Sequence, residues 1–192
     1  FADSVDPFTE KVNLVKPRSV RAAGYEVDFA FDLDGSTGKF RRRAKAAAIE
    51  LGGFEQDTTE GLTQDMVLLR LKPCAGKEFA GPELDHPEAL EFVPTGKLTT
   101  ISTRRKDNGT NELLVETGCV SARKTTIAGV FYSDCNIDPG MSGSMILETS
   151  AEGKSRLVGI STSVKKFDDG SEISIAVHSS SITPFIESVL GV

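Results

Sequence analysis

The stretch DCNIDPGMSGSMIL, residues 134–147, carries the most information in this 192-residue chain. It places Ser142 between two glycines, after Pro139-Gly140 and before an apolar run. Because glycine accepts backbone angles that other residues avoid, the pattern predicts a tight bend that leads into a strand. The amides of Gly140 and Ser142 can then face one cavity, as an oxyanion hole requires. An acyl hydrolase elbow fits less well, because it needs Gly-x-Ser-x-Gly before a helix and a parallel sheet.

The segments on both sides of this bend are typical of short strands separated by turns. Residues 25–31 alternate apolar and polar side chains, as a half-buried strand requires. Turns rich in Gly and Asp recur at residues 34–38, 107–109, 152–153 and 168–170. Short strands at this spacing predict an all-β chain, built as an antiparallel sandwich or barrel.

Two segments are less regular. Residues 41–51 are helix formers by composition, but a strand there would complete a hairpin after the turn at 34–38, so we expect a strand. Residues 182–190 are predicted as a helix, capped by Ser181 or Thr183 with Pro184 in its first turn.

Composition argues against two classes of partner and against metal chemistry. The chain has 22 Lys+Arg against 28 Asp+Glu, a net charge of −6. Binding to nucleic acid needs a cationic face, so we expect no nucleic-acid partner and interpret the basic residues 39–45 as a solvated strand face. No run of about 18 apolar residues exists, so no membrane contact is expected. Three cysteines without paired short spacings do not indicate a zinc site, and we expect no metal and no other cofactor.

A second informative segment is residues 64–71, in which Asp65 heads an apolar run that predicts a strand buried on both faces. Together with the Ser142 segment it resembles the trypsin/chymotrypsin-like serine peptidase family. There, an Asp-Leu/Ile-Ala-Leu-Leu-x-Leu segment precedes a Gly-x-Ser-Gly-Gly/Ser segment. Residues 157–161 resemble the family's strand beside the specificity pocket, and residues 175–177 precede the terminal helix as in the family.

The resemblance implies two six-stranded antiparallel Greek-key barrels and a C-terminal helix, with the first barrel incomplete. Residues 1–76 would be the incomplete N-terminal barrel half, residues 77–96 the connection, and residues 97–192 the C-terminal half with the helix. Residues 1–72 offer only three or four strand-like runs, too few to close a barrel.

The resemblance also implies a serine endopeptidase mechanism. Ser142 would be the nucleophile, Asp65 would orient a histidine base, and the amides of Gly140 and Ser142 would form the oxyanion hole. The family places its histidine before the Asp, but residues 1–64 contain none. We therefore expect the base upstream of Phe1 and expect this chain alone to be inactive. The alternative is a pseudopeptidase that binds a protein or peptide without catalysis.

We do not expect either of the two histidines in the chain to be the catalytic base. His86 is expected on a surface loop. The family pattern implies a substrate pocket formed by Asn136, Ser161, Thr162, Ser163 and His178. This set offers no carboxylate to select Arg or Lys, so a neutral or polar preference is expected.

The cysteines predict one disulfide. Cys119 and Cys135 flank the strands that lead to Ser142, and joining them would close a loop of about 15 residues and contribute about 3 kcal/mol. Cys74 would then be free or paired upstream. A disulfide implies an oxidising compartment, so we expect a secreted or periplasmic protein. Its expected partner is a protein or peptide substrate, or the chain's own upstream segment.

Overall fold

The computed structural model describes residues 19–21, 26–28, 33–34, 36–40, 43–51, 67–72, 83–84, 93–123, 127–138 and 140–190. Three residues singled out above, Asp65, Cys74 and His86, lie outside these ranges. The predictions made for them therefore stay predictions.

The first part of the chain contributes a small antiparallel sheet and a two-stranded hairpin. The strands are β1 Ser19–Arg21, β2 Glu26–Asp28, β3 Leu33–Asp34, β4 Lys39–Phe40, β5 Arg43–Leu51 and β6 Val67–Lys72. Strand β5 lies in the middle of the sheet and pairs with β1, β2 and β6, whereas β3 and β4 pair with each other. The prediction of a strand at 41–51 is confirmed for Arg43–Leu51, while residues 41 and 42 lie outside the described ranges. Pairing on both sides outweighs the helix propensity of the alanines.

Strand β6 forms as predicted, but its two faces are not both buried. Each of its side chains is exposed or half-buried, and Val67 is 43% exposed. A short apolar run does not distinguish a central buried strand from one with an open face.

The second part of the chain forms a larger sheet and a helix. Its elements are β7 Glu83–Leu84, β8 Leu98–Arg105, β9 Asn111–Cys119, β10 Ser121–Arg123, β11 Val130–Ser133, β12 Met145–Thr149, β13 Ser155–Lys166, β14 Glu172–His178 and α1 Ser179–Leu190. The strand order is β10-β11-β14-β13-β12-β8-β9, all antiparallel, while β7 adds parallel to β13. Because β7 lies within the predicted connection 77–96, that connection contributes a short strand to this sheet.

A disulfide joins the two ends of this strand order. Cys119 ends β9, at one end of the order, and Cys135 follows β11, near the other end. Both cysteines pack in the core with Leu98, Phe131 and Val158. The predicted disulfide is confirmed, and the sheet it joins forms a half-barrel. The arrangement of the whole chain as two barrels stays a prediction.

The ladder between β13 and β14 contains a bulge. Ser161 pairs with Ala176 and Ser163 pairs with Ile175, which leaves Thr162 as the extra residue of β13. A bulge frees main-chain groups from the ladder and re-aims them. The Thr162 carbonyl is thereby available to the loop beside it.

Helix α1 begins earlier than predicted. It starts at Ser179, directly after β14, so Pro184 lies in its second turn and neither Ser181 nor Thr183 is its cap. The side chain of His178 takes that role, since its Nδ1 accepts the Ser180 amide hydrogen at 3.1 Å. Among the residues described, no helix is long and apolar enough to cross a membrane.

Candidate active site

The turn that carries Ser142 depends on two glycines with positive φ. Gly140 has φ 90° and Gly143 has φ 91°, in the left-handed region that other residues avoid. The Met141 amide donates to the Asp138 carbonyl at 3.0 Å, and the Gly143 amide donates to the Ser161 carbonyl at 2.7 Å. The first bond fixes the turn to the loop that precedes it, and the second fixes it to strand β13.

Two amides of this turn remain available. The amides of Met141, Gly143 and Ser144 all donate to carbonyls. Within the part of the chain that the structure describes, the amides of Gly140 and Ser142 donate to no protein acceptor. These are the two donors that the sequence predicted for an oxyanion hole, and both residues are solvent-exposed.

The Ser142 hydroxyl is hydrogen-bonded to the bulge in β13. Its Oγ donates to the Thr162 carbonyl at 2.9 Å. The Ser161 amide donates to the Ser144 carbonyl at 2.9 Å, so β13 supports the turn on both sides of Ser142. A carbonyl cannot accept the proton outright, so this bond positions the hydroxyl without making it a stronger nucleophile.

Ser142 and Gly143 line two cavities. The smaller, of about 210 Å³, lies between the turn and Ile101, Ser102 and Thr103 of β8. The larger, of about 430 Å³, lies between the turn and mostly apolar residues of β6, β13, β14 and α1. Its described lining beyond the turn is Val67, Leu68, Leu157, Ile160, Ser161, Thr162, Val177, Ile182, Phe185 and Ile186.

The structure brings only some of the predicted pocket residues together. Ser161 and Thr162 line the larger cavity, whereas Asn136, Ser163 and His178 line neither cavity. Asn136 is exposed, and its amide donates to Glu116 Oε2 at 2.8 Å. Their roles in substrate binding stay predictions.

His178 has a different setting from a catalytic base. It is 1% exposed, and its ring meets Phe131 edge-on with centroids 5.9 Å apart. Because Nδ1 accepts the Ser180 amide hydrogen, that nitrogen carries no proton of its own. The residue stabilises the junction between β14 and α1.

A chain of ion pairs connects the loop before Ser142 to the β8–β9 hairpin. Asp138 Oδ2 lies 3.2 Å from Arg104 Nη1, and Arg104 Nη2 lies 3.1 Å from Glu112 Oε2. The hydrogen bond from Lys106, followed by that from Arg104, lowers the pKa of Glu112. No sequence signal indicated this anchor, because Arg104 and Asp138 lie 34 residues apart.

One group of potential metal ligands occurs among the described residues. It consists of Cys119, Asp134 and Cys135, whose ligand atoms all lie within 4.8 Å of one another. Both sulfur atoms belong to the disulfide, so the group offers no thiolate to a metal.

Comparison with known proteins identifies the class of fold. No family model matches the chain, and no curated protein matches it. Among solved structures, it is similar to a Glu endopeptidase in complex with MPD, at 14% identity and a TM-score of 0.61. The match covers 87% of this chain and 72% of the other. The chain therefore shares the fold of that structure, and its described part is a mostly antiparallel half-barrel with a C-terminal helix.

Proposed function

We propose that this chain is the main part of a serine endopeptidase in which Ser142 is the nucleophile. The observation that carries the proposal is the turn at Ser142. Among the residues that the structure describes, the amides of Gly140 and Ser142 have no acceptor, while those of Met141, Gly143 and Ser144 are all bonded. Two such donors stabilise the oxyanion that forms when a serine attacks a carbonyl. The protease-like fold supports the same conclusion.

The larger cavity offers a place for the base. Its walls include Ser142 on one side and Val67 and Leu68 on the other, two and three residues after Asp65. We propose that a histidine from upstream of Phe1 enters this cavity, takes the Ser142 proton and is oriented by Asp65. Its arrival would replace the bond from Ser142 to the Thr162 carbonyl, because the proton must point to the imidazole before attack.

A pseudopeptidase that binds a protein or peptide is the second candidate. The hydrogen bond of Ser142 favours this candidate, since the hydroxyl donates to the Thr162 carbonyl and not to a base. His178, the histidine that the structure describes, is buried at the start of α1. This candidate uses the same cavities without bond cleavage.

Labelling with a fluorophosphonate distinguishes the two candidates. The full-length protein should be labelled at Ser142, and Ser142→Ala should abolish labelling. Ser150→Ala, which alters an exposed serine in the β12–β13 turn, serves as the matched control and should label normally. A full-length protein that contains a histidine upstream and still resists labelling would favour the pseudopeptidase.

The compartment follows from the disulfide. Cytosolic thiols are kept reduced, whereas disulfides persist outside the cytosol. The Cys119–Cys135 bond and the protease-like fold suggest an extracellular or periplasmic protein.

A further inference from the structure

The main-chain carbonyl of Met141 accepts two hydrogen bonds from one residue. The amide of Ser144 donates to it at 3.1 Å, and the hydroxyl of Ser144 donates to the same oxygen. The amide bond closes a turn over residues 141–144, with Gly143 and its φ of 91° at the third position. One donor is enough to satisfy a buried carbonyl. The hydroxyl of Ser144 therefore adds a second constraint on the direction of this carbonyl.

The Met141 carbonyl and the Ser142 amide belong to one peptide group. A trans peptide group is planar, so its C=O and N–H point in opposite directions. The two bonds from Ser144 thereby hold the Ser142 N–H pointing away from Ser144. Among the described residues, that N–H donates to no protein acceptor, and Ser142 is solvent-exposed. Ser144 thus fixes the direction of one of the two amides proposed for the oxyanion hole.

Ser144 is itself held firmly by the half-barrel. It is 6% exposed, and its carbonyl accepts the Ser161 amide hydrogen at 2.9 Å. It directly precedes β12, which pairs with β13 on one side and with β8 on the other. Alanine would fill this buried position without a polar atom to remove from water. A serine here is therefore suited to hold the Met141 carbonyl from a rigid part of the sheet.

We propose that Ser144 is a positioning residue for the oxyanion hole, because its hydroxyl sets the direction of the Ser142 amide through the Met141 carbonyl. The inference rests on the proposed function, in which that amide stabilises the oxyanion. A donor stabilises the transition state best when it is aimed, before the reaction begins, at the place where charge develops. Loss of the Ser144 hydroxyl should therefore weaken stabilisation of the charged oxygen more than any other part of the reaction.

The test compares two esters on the full-length protein, 4-nitrophenyl acetate and its thiono analogue, in which sulfur replaces the carbonyl oxygen. In both, Ser142 Oγ forms a bond to the carbon of the C=O or C=S group, the serine proton passes to the base, and 4-nitrophenolate leaves. Sulfur is a weaker hydrogen-bond acceptor than oxygen, so the thiono ester gains less from the oxyanion hole. The ratio of the two acylation rates, each corrected with Ser142→Ala, therefore reports on the hole.

Ser144→Ala should lower acylation by the oxygen ester about tenfold and acylation by the thiono ester less than about twofold. Complete loss of an oxyanion donor costs about 10²–10³-fold, and a donor that is present but loosely held costs less. The loss should appear in the rate at saturating ester and not in the ester concentration that gives half this rate. If Ser144→Ala melts below the assay temperature, Ser144→Cys replaces it. A thiol is a weaker donor of similar size and should lower the same ratio.

Ser121→Ala is the matched control. The Ser121 hydroxyl also donates to a main-chain carbonyl, that of Tyr132 at 3.1 Å, but Ser121 lies on β10 and lines neither cavity. Its loss should leave the ratio unchanged. A folded Ser144→Ala protein with the wild-type ratio overturns this inference and leaves the proposed function intact. A wild type that reacts with the oxygen ester no faster than Ser142→Ala overturns both.

Discussion

The hydroxyl of Ser142 and the main-chain carbonyl of Thr162 form a hydrogen bond of 2.9 Å. Thr162 is available for it because it is the extra residue of the bulge between β13 and β14. The bond holds a side chain that lines both cavities.

If Ser142 is the nucleophile and its base lies upstream of Phe1, as proposed, added imidazole should partly replace that base. Residues 1–192 alone should react with a fluorophosphonate very slowly, since loss of the base lowers the rate on the order of 10⁶-fold. Because the cavity beside Ser142 holds about 430 Å³, free imidazole can enter it, and the labelling rate should rise with imidazole concentration. Mass spectrometry of the labelled peptide measures this, with Ser142→Ala as the blank. Rapid labelling without imidazole would mean that His86 or His178 supplies the base.

Gly38 should tolerate alanine less well than Gly153. Both have positive φ, 62° and 80°, so alanine strains both by about 1–2 kcal/mol. An added Cβ at Gly38 would lie 2.6 Å from Thr110 Cβ, whereas at Gly153 it would meet nothing within 4 Å. Urea unfolding should therefore show a larger loss for Gly38→Ala. Equal losses would show that the turn at 36–38 does not pack against the β8–β9 turn.

Glu148 should stabilise the chain in a pH-dependent way. Burial raises the pKa of its carboxyl, but hydrogen bonds from Arg156 and from the Gly96 and Thr95 amides outweigh burial and lower it below 4.5. A lowered folded-state pKa stabilises the protein above the unfolded pKa, and this contribution is lost as pH falls through the folded value. The stability gap between wild type and Glu148→Gln should therefore be full at pH 7 and shrink below about pH 4.5. A gap that is constant with pH in urea titrations would contradict this.

Removal of the Cys119–Cys135 bond should destabilise the half-barrel. The bond spans 16 residues, so its loss should cost about 3 kcal/mol in the chain-entropy model. The urea midpoint of the double variant Cys119→Ser/Cys135→Ser measures the loss. Dithiothreitol should lower the midpoint of the wild type to a similar value and leave the double variant unchanged. A wild type that is insensitive to reduction would show that core packing alone holds the two ends of the sheet.

Local signals predicted much of the fold. The Asp34–Gly38 turn, the strand β5 and the Cys119–Cys135 disulfide follow from neighbouring residues or from their spacing. The predicted start of α1 was wrong because histidine is an uncommon helix cap. The Nδ1 atom of His178 can accept the Ser180 amide hydrogen only because β14 ends at that residue.

Less of the candidate site could be predicted from the sequence. The bend at Ser142 could be predicted, since glycines on both sides mark it. The residues that contact Ser142 could not be predicted. Its hydroxyl donates to the Thr162 carbonyl, which is available because of a bulge that no composition rule indicates.

The bulge at Thr162 limits how the length of the chain can vary. Deleting Thr162 would leave Ser161 paired with Ala176 and Ser163 with Ile175 but remove the bulge, so Ser142 would lose its carbonyl partner. The turn at 168–170 lies beyond the last pair of the same ladder, Lys166 with Glu172, and can lengthen without moving that pair. Insertions and deletions accumulated over evolution, or introduced by an engineer, should therefore be accepted at this hairpin tip and rejected between Ser161 and Ser163.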